Sequence, residues 1–150
     1  IKLGKTTDTL DPEGVVTEIK KIPKINDSKI KKILDSFLGT SMQTPPMFSA
    51  KKIGGVKLYE LARKNIIIDR EKAQINISDI SLINFNETKI SFSVSCSKGT
   101  YIRVLGKEIA EKLGTVGYLD SLIRTRVGEY FIDDSVSLDQ FELSWKSYAH

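Results

Sequence analysis

Cysteine and histidine are almost absent from this sequence. Cys96 is the one cysteine, so no disulfide can form within the chain. His150 is the one histidine, and it is the last residue. A zinc site built from Cys and His is therefore excluded. So is a Ser/His or Cys/His catalytic pair, short of the terminal His150 folding back. No apolar run approaches the roughly 20 residues that a membrane helix needs, and no secretory signal opens the chain. The expectation is a cytoplasmic protein with no membrane partner. Internal repeats, low-complexity tracts and obvious linkers are also lacking.

The remaining composition is ordinary. Apolar residues make up 40% and charged residues 28% of the 150, enough for a core and unlike a disordered chain. That length suits one domain. The net charge of +4 fits a polyanionic partner, and many other partners as well. The first residue is Ile1, in what reads as a strand already under way, which points to a start lying upstream.

Apolar spacing predicts the elements. Residues 15–21 read as a strand. Residues 26–38 read as a helix with Ile30, Ile33, Leu34, Phe37 and Leu38 on one face, an N-cap among Asn26, Asp27 and Ser28, and Gly39 as its stop. Residues 41–49 read as a loop held by Pro45-Pro46. Gly54-Gly55 suggests a hairpin turn, followed by a short helix over 58–64. Residues 74–85 and 89–97 read as strands. The second alternates Ile90, Phe92, Val94 and Cys96 against four serines, placing Cys96 in the core. A helix follows Lys98-Gly99-Thr100, with Ile102, Leu105, Ile109 and Leu113 as its stripe and Gly114 as its end. Residues 118–132 are ambiguous. Ser137 and Gln140 form a capping box. Strands, helices and strands again suggest an α+β domain with a largely antiparallel sheet.

Three clusters carry polar chemistry. Residues 3–14 place Asp8, Asp11 and Glu13 in one turn, which is either a solvated loop whose carboxylates cap amides or part of a site. Residues 43–64 interleave Lys51, Lys52, Lys57, Arg63 and Lys64 with Phe48 and Tyr59. That mixture suits a nucleic-acid surface, where cations meet phosphates and rings stack on bases, or a charged hairpin with its rings in the core. Residues 96–103, CSKGTYIR, turn sharply at Gly99 from a strand into a helix whose first amides attract anions. Lys98 adds charge, and Tyr101 and Arg103 stand close by. The bland reading is a plain connection.

In this order the clusters resemble the TruB family of pseudouridine synthases. Residues 3–14 are similar to LGxxTDTxDxxG, residues 43–63 to QxPPxySAxKxxGxxLYexAR, and residues 96–103 to CSKGTYIR without a mismatch. Leu113-Gly114, Leu119, Leu122, Arg124-Thr125 and Gly128 follow the family's closing pattern. The Pro-Pro and Cys-Ser-Lys forms resemble the bacterial branch.

The resemblance implies a pseudouridine-synthase-like α+β fold, with a mixed, mainly antiparallel sheet and flanking helices. It implies isomerisation of a uridine in the T arm of tRNA to pseudouridine, on a flipped base. No metal or organic cofactor is implied, and a monomer is expected. Tyr101 would pack on the base and accept the C5 proton. Arg103 would pair with the catalytic carboxylate. Asp11, Lys51, Arg63, Lys98 and Leu122 would contact substrate, with residues 43–70 as the RNA-gripping loop.

The nucleophilic aspartate of the family lies in a GTLDPxATGVL-like motif upstream of where this chain begins. Thr9-Leu10-Asp11-Pro12 imitates it, but Glu13-Gly14-Val15-Val16 follows, so Asp11 belongs to the later motif. The upstream tyrosine that stacks on the uracil and the C-terminal RNA-binding extension are not seen either. Residues 1–150 are thus expected to be part of a catalytic domain, truncated at its N-terminus and inactive alone. The alternative is a non-catalytic RNA-binding module that keeps the synthase fold.

Overall fold

The structure is a computed structural model that describes residues 1–148, and His150 lies outside them. Every strand pairing among the described residues is antiparallel. The chain opens with β1 (Lys2–Leu3) and β2 (Lys5–Thr7), and returns along β3 (Val16–Ile19) beside β2. Helix α1 (Asp27–Asp35) is capped as expected, with Asn26 Oδ1 accepting the Lys29 amide at 2.8 Å.

Helix α1 ends with Ser36 as its C-cap, before Gly39, where the next amides tighten to i→i−3 bonds, Phe37 N–H to Leu34 O and Leu38 N–H to Asp35 O. Leu38 therefore leaves the apolar face and is exposed. Gly39, at φ +90°, turns the chain into β4 (Gly39–Gln43). The expected loop over 41–49 is thus corrected: 41–43 are strand, because β4 finds a full ladder on the later strand β7. Pro45 and Pro46 end it, since proline has no amide for a ladder.

A hairpin of β5 (Lys52–Ile53) and β6 (Val56–Lys57) turns on Gly54 and Gly55, both at positive φ as its tight turn requires. Then come α2 (Leu58–Ala62), β7 (Ala73–Phe85) and β8 (Ile90–Cys96). Strands β4, β7 and β8 form one sheet. Strand β7 carries bulges at Ser78 and Ile83. The first moves its buried side chains from Ile75 and Ile77 to Ile80, so one face stays apolar across the interruption. Cys96 is exposed, contrary to expectation, because it ends β8 where the chain leaves the sheet.

Helix α3 (Ile102–Leu113) ends on left-handed Gly114. Strand β9 (Gly117–Tyr118) pairs with β1, and Lys2 of β1 bridges to Lys89, the residue before β8. The ambiguous stretch resolves into a hairpin, β10 (Arg126–Val127) and β11 (Tyr130–Phe131), and a 3-10 turn at Ile132–Asp134. Helix α4 (Leu138–Tyr148) begins with the expected box: Ser137 N–H donates to Gln140 Oε1 at 3.0 Å, and Gln140 N–H donates to Ser137 Oγ at 3.2 Å.

Helix α1 lies on β7, and α3 lies against α1 and β9. Ile30 and Leu34 of α1 and Leu105, Ile109 and Leu113 of α3 pack on Ile77, Ile80 and Ile90. Truncating one of these to alanine costs about 2–5 kcal/mol. The expected α+β architecture is the one observed. No described helix is long and apolar enough to cross a membrane.

Candidate active site

The acid turn between β2 and β3 is built by its own side chains. Asp8 Oδ1 accepts the Thr9 and Val15 amides at 2.9 and 2.8 Å, closing the loop across Gly14. A Cβ on Gly14 would collide with Thr9 Oγ1, Asp8 Oδ1 and the Thr9 amide. Thr7 Oγ1 accepts Asp11 N–H at 3.1 Å and donates to Asp11 O at 2.6 Å. Leu10, between them, has φ +64°, which costs a side-chain-bearing residue about 1–2 kcal/mol. Thr9 Oγ1 donates to Asp11 Oδ1 at 2.6 Å. Asp8 is thus the amide-capping carboxylate of a structural turn. Asp11 keeps Oδ2 for a distant partner.

That partner is Arg103, in the first turn of α3. The approach to it is a tight turn: Ser97 O accepts Thr100 Oγ1 at 2.9 Å, and Gly99 turns at φ +84°. Tyr101 is the N-cap residue in extended conformation, one position before the helix. Two residues on, the Arg103 guanidinium is bonded on three sides. Nη1 donates to Asp11 Oδ2 at 2.9 Å and to Thr9 O at 2.7 Å; Nη2 donates to Phe48 O at 2.6 Å. Both side chains of the ion pair are about a quarter exposed, which places it between the weak surface pair and the costly buried one. Nε–H and one Nη2–H remain to meet a second anion.

The segment 43–70 hangs from this junction. Gln43 and Ser49 are buried, as are Pro45 and Pro46, and Arg70 Nη1 donates to Pro45 O at 3.1 Å, tying the far end of the segment back. Tyr59 is half-buried and meets two cations, Lys57 at 5.4 Å and Arg63 at 5.3 Å from its ring centre. Among the described residues, Lys51, Lys52, Arg63, Lys64 and Lys98 form no ion pair.

The fold therefore brings Asp11 to Arg103, two residues beyond Tyr101, and roots residues 43–49 there through Phe48 O on Arg103 and Gln43 on the Tyr101 backbone. Leu122 lies between β9 and β10 with 57% of its surface exposed. Gln43, whose amide pairs with the backbone of Tyr101, received no role from the sequence. A glutamine at a strand end gives no sign there that it is buried.

The model for the TruB family pseudouridylate synthase N-terminal domain matches residues 1–102. The chain is 44% identical over 142 residues to a tRNA pseudouridine synthase B of Psychrobacter cryohalolentis, covering 95% of this chain and 40% of that protein. It is 41% identical over 148 residues to that of Hydrogenovibrio crunogenus, covering 99% and 49%. To that of Clostridium tetani it is 43% identical over 139 residues, covering 93% and 48%. The chain thus spans half or less of these relatives' length. Its fold is similar to a chain in the crystal structure of a Cbf5-Nop10-Gar1 complex, with TM-score 0.65 and 24% identity, over 86% of this chain and 35% of that one.

Proposed function

Because the chain belongs to the TruB family of pseudouridylate synthases, we propose that the protein isomerises a uridine in the T arm of tRNA to pseudouridine, in the cytoplasm. The N1–C1′ bond breaks, the uracil turns, a C5–C1′ bond forms, the C5 proton is removed and N1 gains a proton, so that the product is an isomer of the substrate. Tyr101 packs on the flipped base and takes that proton. Arg103 holds the catalytic carboxylate ionised with the donors left free by Asp11, Thr9 and Phe48. Asp11 orients Arg103 at the edge of the substrate pocket, and Leu122 lines that pocket. Lys51, Arg63 and Lys98 meet RNA phosphates.

The observation that carries this reading is the junction itself. A guanidinium clamped to an acid turn and to the root of a basic, aromatic segment supports a reading in which charge control and RNA gripping share one place. The test is tritium release from a T-arm hairpin carrying uridine labelled at C5. The full-length protein should release tritium. Hairpin binding without release would favour the non-catalytic RNA-binding module. Residues 1–150 contain no GTLDPxATGVL-like segment and should bind the hairpin without releasing tritium. Release by this piece would place a nucleophile within it and make Asp11 the suspect.

A further inference from the structure

Gln43 closes β4 with 2% of its surface exposed. Its amide faces the backbone of Tyr101, 58 residues further on. Oε1 accepts Tyr101 N–H at 2.8 Å, and Nε2 donates to Tyr101 O at 3.2 Å. This two-point pairing is what one strand residue offers another, supplied here by a side chain. A single bond would leave the peptide free to swivel, whereas two fix its place and its tilt. Tyr101 O also accepts the Val104 and Leu105 amides at 3.1 Å each, so the pairing extends into the first turn of α3. Tyr101 has no side-chain cap of its own. Five residues after Gln43, Phe48 O takes Arg103 Nη2. Two points of the 43–48 run thus hold two residues of the 101–103 run.

A buried amide stabilises little beyond an apolar side chain of equal volume, and costs free energy when either end lacks a partner. What it adds is direction. We propose that Gln43 is a positioning residue: it sets where the Tyr101 ring stands against the flipped base, and it ties that placement to the root of the RNA-gripping segment. This role rests on the function proposed above.

The test is single-turnover tritium release by the full-length protein, recording rate constant, amplitude and hairpin Kd. Gln43→Met keeps the volume and removes both bonds. A misplacement of about 1 Å costs roughly a hundredfold in rate, so the rate constant should fall by about that factor, with Kd within about threefold. Gln43→Glu keeps the acceptor and regains the donor only when the introduced carboxyl is protonated. Its rate divided by the wild-type rate should therefore rise as pH falls. Taking the ratio cancels the titration of groups common to both proteins. A wild-type rate constant in Gln43→Met, a pH-independent ratio in Gln43→Glu, or a loss confined to amplitude would each overturn the role. A wild type without turnover would sink the proposed function and this role with it. An active wild type matched by Gln43→Met sinks the role alone.

Discussion

Asp11 Oδ2 sits 2.9 Å from Arg103 Nη1, a pairing across 92 residues of chain. The other oxygen of the same carboxylate takes the Thr9 hydroxyl at 2.6 Å, and the same guanidinium reaches Phe48 O. Three segments distant in sequence meet at this pair, and each limits the movement of the others.

Arg103→Ala in the full-length protein should lower single-turnover tritium release by about a hundred- to a thousandfold, the usual cost of losing a charge-stabilising donor. Hairpin affinity should stay near wild type. A large loss of affinity with a normal single-turnover rate would count against the assigned role.

Lys51→Ala and Arg63→Ala should each weaken hairpin binding with little effect on the bound complex's rate. Removing a cation that neutralises one phosphate lowers the slope of log K against log salt by roughly one. Titrations at several salt concentrations read this directly. An unchanged slope would remove the residue from the phosphate-binding surface.

Gly14→Ala should destabilise the acid turn, because the new Cβ meets Thr9 Oγ1, Asp8 Oδ1 and the Thr9 amide. Overpacking of this kind costs about 1–3 kcal/mol. Denaturant titration should show the loss, and turnover should fall further than stability accounts for, since Thr9 Oγ1 holds Asp11. Wild-type stability and turnover in this variant would mean that the turn is slack.

Glu108 on α3 is half-buried, and its carboxyl is pushed above the ordinary glutamate range, first by desolvation and then by the neighbouring Glu111 charge. A raised acid pKa makes the folded state bind a proton that the unfolded state releases. Its contribution is therefore complete below the unfolded pKa and is lost as pH rises through the folded one. Glu108→Gln should raise Tm at neutral pH and give no gain well below the unfolded glutamate pKa. Equal Tm values at pH 7 would show that Glu108 is fully solvated.

Much of the fold is legible in the sequence because its signals are local. The α3 stripe of Leu105, Ile109 and Leu113, its Gly114 stop, the Gly54-Gly55 turn and the Ser137–Gln140 box each need only a few neighbouring residues. Ser41, Met42 and Gln43 of β4 read as loop because none of them is β-branched or aromatic. The ladder to β7 makes them a strand. Cys96 reads as core for a related reason: alternation states which face a side chain takes, while coverage of that face depends on elements elsewhere in the chain.

By itself the sequence determined the main helices, the Gly54-Gly55 turn and the family, through spacing and through motifs whose order is too specific to be accidental. It placed Tyr101 and Arg103 in one cluster and Asp11 in another. Only the tertiary structure decided that Arg103 meets Asp11 and Phe48, and that Gln43 holds Tyr101. Hydrogen bonds between groups 55 to 92 residues apart depend on how the sheet and α3 pack, and no local pattern encodes that distance.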